Sequence, residues 1–71
     1  MIRNRLNAIR HQLCIDTQVE FARLLGVSQY SLSRWEGQVC QPNTETLFSI
    51  WNKLKPLIPD LHIEDLLEPP T

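Results

Sequence analysis

The side chains best suited to specific chemistry lie within one short stretch of the sequence. They are Gln29, Tyr30, Ser33 and Arg34. On a helix, with about 100° between successive residues, these positions share one face. Arginine can donate two hydrogen bonds to O6 and N7 of guanine, and glutamine can pair with N6 and N7 of adenine. A tyrosine ring suits a thymine methyl or a sugar, and serine can bond to a base edge or a phosphate. This acid-free face is typical of a helix that reads base pairs, although any surface helix also presents a solvated polar face.

Two apolar residues determine which way this helix faces. Leu32 and Trp35 are one helical turn apart and are predicted to face inward, so the four polar side chains point away from the core. Ser28 is a typical N-cap, and Val27 and Leu32 are placed to pack on each other as a hydrophobic staple. Gly37 is expected to end the helix. The predicted helix therefore begins after Ser28, and its N-terminus also favours anions.

A second short helix is predicted immediately before it, at about residues 17–25. Thr17 and Glu20 have the spacing of a capping box, in which each side chain bonds to the other residue's main-chain amide. The apolar residues that follow are Phe21, Ala22, Leu24 and Leu25. Gly26 is expected to end this helix in the left-handed conformation, where glycine carries no steric penalty. Because only Gly26 and Val27 separate the two helices, they must cross steeply, as in a helix-turn-helix unit.

The rest of the chain is also predicted to be helical. The apolar stripes of helices 1 and 4 consist of Ile2, Leu6, Ile9 and Leu13, and of Leu47, Ile50, Trp51 and Leu54. Asn43 is expected to cap helix 4, and a last short helix is expected from about Asp60 or His62 to Leu67. No segment shows the alternation of a β-strand. The sequence therefore predicts an all-α fold.

Residues 17–36 resemble a known family of DNA-binding domains. Their sequence, TQVEFARLLGVSQYSLSRWE, is similar to the helix-turn-helix of the phage-repressor family, which is lambda repressor-like and Xre-type. That family follows the approximate pattern TQxxhAxxhGVSxxxhSxhE, where h is apolar, and the likeness extends over about residues 3–67. The resemblance implies a five-helix domain at residues 1–68, with the helix-turn-helix at helices 2 and 3. Residues 69–71 are expected to form a frayed tail, as chain termini often do. It also implies a small transcriptional regulator of the repressor type that binds double-stranded DNA sequence-specifically.

The resemblance also implies roles for individual residues. Base reading is expected from Gln29, Tyr30, Ser33 and Arg34. Phosphate contacts are expected from Gln18, Ser31, Gln38, Gln41, Asn43 and Thr44, partly through main-chain amides. Gln18 is further expected to support Gln29. Arg10 and Glu36 match a structural pair that bridges helix 1 to the end of helix 3.

Several positions depart from the family pattern. The link between helices 1 and 2 is one residue longer, with Cys14 near the usual place of a glycine. After Glu36 the family often has Asn-Gly and a basic pair, whereas this chain has Gly37-Gln38-Val39-Cys40. Residues 55–60 look like an insertion before the last helix. Each lost phosphate contact lowers affinity and makes the slope of log K against log salt shallower by about 0.9. We therefore expect modest non-specific DNA binding.

Charge and length limit the alternatives. The 71 residues suffice for one domain. Their net charge of −1 is uneven, because residues 1–38 hold five arginines and three acids, whereas residues 39–71 hold two lysines and five acids. The first half therefore suits a polyanion better than the second. An alternative function is a protein-interaction module, such as an antitoxin or adaptor, that binds a partner through its acidic C-terminal half.

Neither catalysis nor metal binding is expected. No nucleophilic side chain lies in a recognisable nucleophile-elbow motif. Cys14 and Cys40 have no further Cys or His residues at the spacing that zinc ligands require. No cofactor is implied. No apolar run approaches the ~18 residues of a membrane-spanning helix, so no membrane contact is expected. Because the start also lacks the apolar stretch of a signal peptide, we expect a cytoplasmic, nucleoid-associated protein with free thiols.

A cluster of apolar residues near the C-terminus has two interpretations. Its members are Ile58, Leu61, Ile63, Leu66 and Leu67. They either complete the core of one molecule or form the seam of a homodimer. We favour the homodimer seam, because one such domain reads only a few base pairs and two-fold pairing doubles the length of DNA that is read.

Overall fold

The structure, a computed structural model that describes residues 3–68, confirms an all-α protein. Its helices are α1 (Leu6–Gln12), α2 (Gln18–Leu25), α3 (Gln29–Glu36) and α4 (Thr44–Leu54). The fifth helix expected before Leu67 is only a single 3-10 turn, Ile63–Leu66. Five full helices are therefore not present among residues 3–68. Ile2 and the tail at residues 69–71 lie outside the described residues.

Three of the helices begin at the polar residues that the sequence predicts as N-caps. The side chains of Thr17, Ser28 and Asn43 each accept a hydrogen bond from the amide three residues further along, at 3.2, 3.1 and 2.8 Å. Each bond satisfies one of the amides that the first turn of a helix leaves without a partner. Only half of the predicted capping box forms, because no hydrogen bond within residues 3–68 joins the Glu20 carboxylate to the Thr17 amide.

The turn between α2 and α3 is as short as the sequence predicts. Gly26 lies in the left-handed region, at φ 71°, and Val27 and Ser28 complete the connection. A side chain at Gly26 would be strained at this φ. The three-residue connection therefore fixes α3 against α2.

The core lies where α1, α2, α3, α4 and the 3-10 turn meet. Its members are Leu6, Ile9, Phe21, Ala22, Leu25, Leu32, Trp35, Ile50, Leu54, Leu61 and Leu66. Burial of each large aliphatic or aromatic side chain contributes about 1.5–3 kcal/mol. Trp51 lies at the edge of this core, and its indole nitrogen donates a hydrogen bond of 2.9 Å to the Leu61 carbonyl. Leu61 is thereby held against α4.

The two ends of the described chain pair with each other. Asn4 and Leu67 form an isolated antiparallel bridge, flanked by hydrogen bonds from the Arg5 amide to the Leu66 carbonyl and from the Glu68 amide to the Arg3 carbonyl, both 2.8 Å. This pairing has no signal in the sequence, because segments of two or three residues carry no recognisable alternation. The pairing ties the start of α1 to the 3-10 turn.

The apolar C-terminal cluster belongs largely to the core of the single molecule. Leu61 and Leu66 are 8% and 0% exposed, so the prediction that they form a homodimer seam is wrong. Ile58 and Ile63 are partly buried against the same core. Leu67 is half-buried. The cluster packs inward because the short 3-10 turn is covered by α4 and by the N-terminal segment.

Over residues 3–68, no helix combines the length and the apolar composition needed to cross a membrane.

Candidate nucleic-acid interface

The outer face of α3 presents the polar side chains expected from the sequence. Leu32 and Trp35 are buried, at 0% and 9% exposure, and they fix the rotation of the helix. Gln29, Tyr30, Ser33 and Arg34 are exposed. Tyr30 is 71% exposed, which is unusual for a large aromatic side chain that has no partner to cover it. The face therefore consists of hydrogen-bonding groups that are accessible to a ligand.

Arg34 and Tyr30 interact on this face. The guanidinium Nη1 donates a hydrogen bond of 2.9 Å to the Tyr30 hydroxyl, and the guanidinium carbon lies 5.4 Å from the ring centroid. Residues four apart are neighbours on a helix surface, and a cation over an aromatic ring is attracted to it. Hydrogen bonding to Cys40 and then to Tyr30 raises the pKa of Arg34 above its ordinary value. Arg34 is therefore a partly ordered, permanently charged donor.

A buried ion pair connects α1 to the end of α3. Arg10 Nε lies 3.2 and 3.0 Å from the two carboxylate oxygens of Glu36, and these side chains are 11% and 2% exposed. Arg10 Nη1 also donates to the carbonyls of Ile15 and Asp16, at 3.1 and 3.3 Å. Arg10 thus holds α3 and the link between α1 and α2 at the same time. Glu36 is directed into this pair, so its charge does not lie on the outer face of α3.

Two amide side chains complete the hydrogen bonding of Glu36. Asn7 Nδ2 and Gln18 Nε2 donate to its Oε1 at 2.9 and 3.3 Å. In the free chain the partner of Gln18 is Glu36, and no hydrogen bond joins Gln18 to Gln29 within the described chain, so its support of Gln29 stays a prediction. Gln18 remains partly exposed at the start of α2, so its predicted contact with a phosphate stays a prediction.

Gln38 and Gln41 have a structural role that their positions in the sequence do not indicate. Gln38 Oε1 and Nε2 bond to the main-chain amide and carbonyl of Asn4, at 3.2 and 3.0 Å. Gln41 Oε1 accepts from Asn4 Nδ2 at 2.7 Å, and Gln41 Nε2 donates to Gln38 Oε1 at 2.9 Å. These side chains were expected on DNA phosphates. They point instead toward the N-terminal segment, because Asn4 supplies partners for both ends of the Gln38 amide and for the oxygen of Gln41.

The remaining residues predicted to contact phosphates lie at helix starts. Asn43 and Thr44 are exposed at the N-terminus of α4, where Asn43 Oδ1 is used as the cap and its Nδ2 remains available. Ser31 is half-buried in the first turn of α3, and its hydroxyl oxygen accepts from the Ser28 hydroxyl at 3.0 Å. Main-chain amides at helix starts favour anions. These positions are therefore compatible with the predicted phosphate contacts.

Asn4 has a structural role that the sequence signals only weakly. Its side chain is 2% exposed and bonds to the Trp35 carbonyl as well as to Gln41. The one local signal is its type and position, because asparagine shortly before a helix often accepts from a nearby amide. Its Oδ1 accepts from the Leu6 amide at 3.1 Å.

The cysteines show no sign of a joint site. Cys14 is exposed and Cys40 is half-buried, and both thiols are free. Across residues 3–68, no group of three or more Cys, His, Asp or Glu residues is placed to hold a metal ion.

Comparison with protein-family models, with curated proteins and with solved structures finds no match to this chain.

Proposed function

We propose that this chain binds double-stranded DNA in a sequence-specific manner, as a small transcriptional regulator of the repressor type. The observation that carries the proposal is the exposed face of α3, whose hydrogen-bonding side chains include Arg34 and no accessible acid. The short turn at Gly26 fixes this helix against α2. A rigid helix with such a face can enter a DNA major groove, which is about 12 Å wide. The likeness of residues 17–36 to phage repressors supports the same function.

Base recognition is assigned to four side chains on α3. Arg34 is proposed to donate to O6 and N7 of a guanine, and Gln29 to pair with an adenine nearer the start of the helix. Tyr30 is proposed to contact a thymine methyl or a sugar, and Ser33 a base edge. Because Tyr30 already accepts a hydrogen bond from Arg34 Nη1, less side-chain freedom is lost when the guanidinium binds a base.

Phosphate contacts are proposed at both ends of this helix. Gln18 and Ser31 would contact one stretch of backbone, and Asn43 and Thr44, with the amides at the start of α4, would contact another. None of these side chains is charged, so little counterion is released on binding. The proposed complex therefore relies on base contacts more than on charge, and its non-specific affinity is modest.

A two-fold symmetric site would accommodate two copies of the chain. Two recognition helices separated by one helical turn of DNA lie ~34 Å apart, which doubles the number of bases read. Of the cluster expected at the seam, Ile58, Ile63 and Leu67 keep part of their surface accessible. A homodimer on DNA is therefore part of the proposal, with a contact smaller than the full cluster. Occlusion of a promoter would then cause repression.

A titration with duplex DNA tests the proposal. The chain is titrated with a pool of random duplexes at low and at moderate salt, and the bound sites are selected and sequenced. We expect binding that weakens with salt and a selected site that contains guanine, with half-sites about one helical turn apart. Absence of binding at low salt, with the helical circular-dichroism signal intact, would overturn the proposal.

A second candidate is a module that binds a protein partner through the acidic C-terminal half. Phe48 and Leu57 are 45% and 49% exposed in that half. The acidic residues Asp60, Glu64 and Glu68 are exposed after them. Exposed apolar side chains with charged neighbours are typical of protein contacts. An intact fold that binds no duplex in the titration would favour this candidate, whereas selection of a defined DNA site would favour the first.

A further inference from the structure

We infer that Asn4 is a positioning residue, which holds the loop between α3 and α4, residues 37–43, in the conformation that meets the DNA backbone. The inference rests on the proposed function and adds to it a residue that cannot touch DNA itself. Asn4 is 2% exposed in the free chain. Any effect of Asn4 on DNA binding must therefore act through its neighbours.

The Asn4 side chain is fully engaged. Nδ2 donates one hydrogen bond to the Trp35 carbonyl at 2.8 Å and another to Gln41 Oε1 at 2.7 Å. Oδ1 accepts from the Leu6 amide at 3.1 Å. Within the described residues, no buried side-chain nitrogen or oxygen lacks a partner. A buried amide whose donors and acceptor are all used has one preferred orientation, since rotation would leave polar groups unpaired.

The main chain of Asn4 belongs to the same network. Gln38 reaches across with its side-chain amide and bonds to both the amide and the carbonyl of Asn4, as a neighbouring strand would. Gln41 Nε2 then donates to Gln38 Oε1 and closes the ring. Asn4 thus binds the Trp35 carbonyl near the end of α3 and two side chains of the following loop.

The loop has few other restraints. The amides of Val39 and Gln38 close the end of α3, but no hydrogen bond within residues 3–68 uses the amides of Cys40, Gln41 or Asn43. Gln38 also adopts φ 59°, a conformation unfavourable for a residue with a side chain. The Asn4 network, together with the packing of Cys40 against the core, therefore holds the loop. Within the described residues, the amides of Cys40, Gln41 and Asn43 have no hydrogen bond that a phosphate would have to displace.

The network is anchored on its far side by the C-terminal segment. The carbonyl of Arg3 accepts from the Glu68 amide, and the amide of Arg5 donates to the Leu66 carbonyl. The residues on both sides of Asn4 are thus fixed by main-chain bonds. Asn4 therefore links this fixed segment to the loop that follows α3.

Replacement of Asn4 by alanine, compared with Ile50→Val, tests the inference. Ile50 is fully buried in α4, and its loss of one methylene lowers stability without touching the loop. Binding to the selected duplex is measured at a temperature at which all proteins are folded. We expect Asn4→Ala to bind about tenfold more weakly, which corresponds to the loss of a contact with a charged phosphate. The base preference should stay unchanged, and Ile50→Val should bind as the parent does.

A milder variant covers the case in which Asn4→Ala does not fold. Asn4→Ser keeps an oxygen that can accept from the Leu6 amide but has one donor in place of two, so it loses either the Trp35 or the Gln41 bond. The same loss of affinity with the same base preference is expected. Unchanged duplex affinity in a folded Asn4 variant would show a purely structural role and overturn the inference alone. Absence of duplex binding by the parent would overturn the proposed function and this role with it.

Discussion

At the scale of single residues, the properties of the proposed interface depend on the geometry of a few side chains. Arg34 combines a fixed position on α3 with a hydrogen bond to Tyr30, and its planar fork matches the two acceptors of guanine. Cys14 is exposed but bonds to no such partner within residues 3–68, and its backbone is strained at φ 59°. Arg34 is proposed to serve recognition, whereas the strain at Cys14 bears on stability.

Replacement of Arg34 by alanine is expected to weaken binding to the selected duplex by about 1–3 kcal/mol and to relax the preference for guanine at one position. Lysine at this position keeps the charge but loses the fork, so Arg34→Lys should recover affinity for random duplexes without recovering the guanine preference. Site selection with each variant measures both effects. Loss of affinity with an unchanged preference would show that Arg34 contacts the backbone instead.

Replacement of Cys14 by glycine is expected to stabilise the fold by about 1 kcal/mol, because glycine adopts the left-handed conformation without steric penalty. Urea unfolding followed by circular dichroism gives the change. Ala8→Gly, at an exposed position inside α1, is the control and should destabilise by about 1 kcal/mol. If both variants destabilise equally, the strain assigned to Cys14 is not present.

At the scale of secondary-structure elements, the orientation of α3 is set from both of its ends. The turn at Gly26 fixes its start against α2, and the Arg10–Glu36 pair fixes its end against α1. Burial makes this pair costly to break, since removal of one partner leaves an unpaired charge in the interior. The main role assigned to the Arg10–Glu36 pair is therefore to hold the end of the proposed reading helix, α3, in place against α1.

Replacement of Arg10 by alanine is expected to lower the free energy of unfolding by about 3–5 kcal/mol, since the Glu36 carboxylate loses its partner while still buried. The double variant Arg10→Met with Glu36→Leu removes both charges and should lose less than Arg10→Ala alone. Denaturant unfolding of Arg10→Met, of Glu36→Leu and of the double variant gives the coupling between the residues. Additive losses would mean that the two side chains do not interact in solution.

At the scale of the whole molecule, charge limits how strongly the chain can bind DNA. The loop after α3 contains no basic residue, and most acids lie in the second half of the sequence. Val39, in that loop, is 65% exposed and has no partner to cover it. A charge added at Val39 would lie beside the proposed backbone contacts, whereas a charge added near the far end of α4 would not.

Replacement of Val39 by lysine is expected to tighten binding to random duplexes and to steepen the slope of log K against log salt by about 0.9, the value for one added phosphate contact. Leu57→Lys is the matched control, because Leu57 is 49% exposed but follows the opposite end of α4. It should leave the slope nearly unchanged. Equal slopes for the two variants would place the DNA on another surface.

The sequence by itself determined the four α-helices, three of their caps, the turn at Gly26 and the outward face of α3. These features depend on neighbours within one or two helical turns, so apolar periodicity and capping residues predict them. Only the tertiary structure decided the partners of Gln38 and Gln41, because their bonds to Asn4 span 34 and 37 residues. It likewise decided that Leu61 and Leu66 belong to the core and not to a seam. Neither feature leaves a periodic pattern in the sequence. Hydrogen bonds between distant residues, and the choice between a core and a dimer seam for an apolar side chain, both depend on which segments the folded chain brings together.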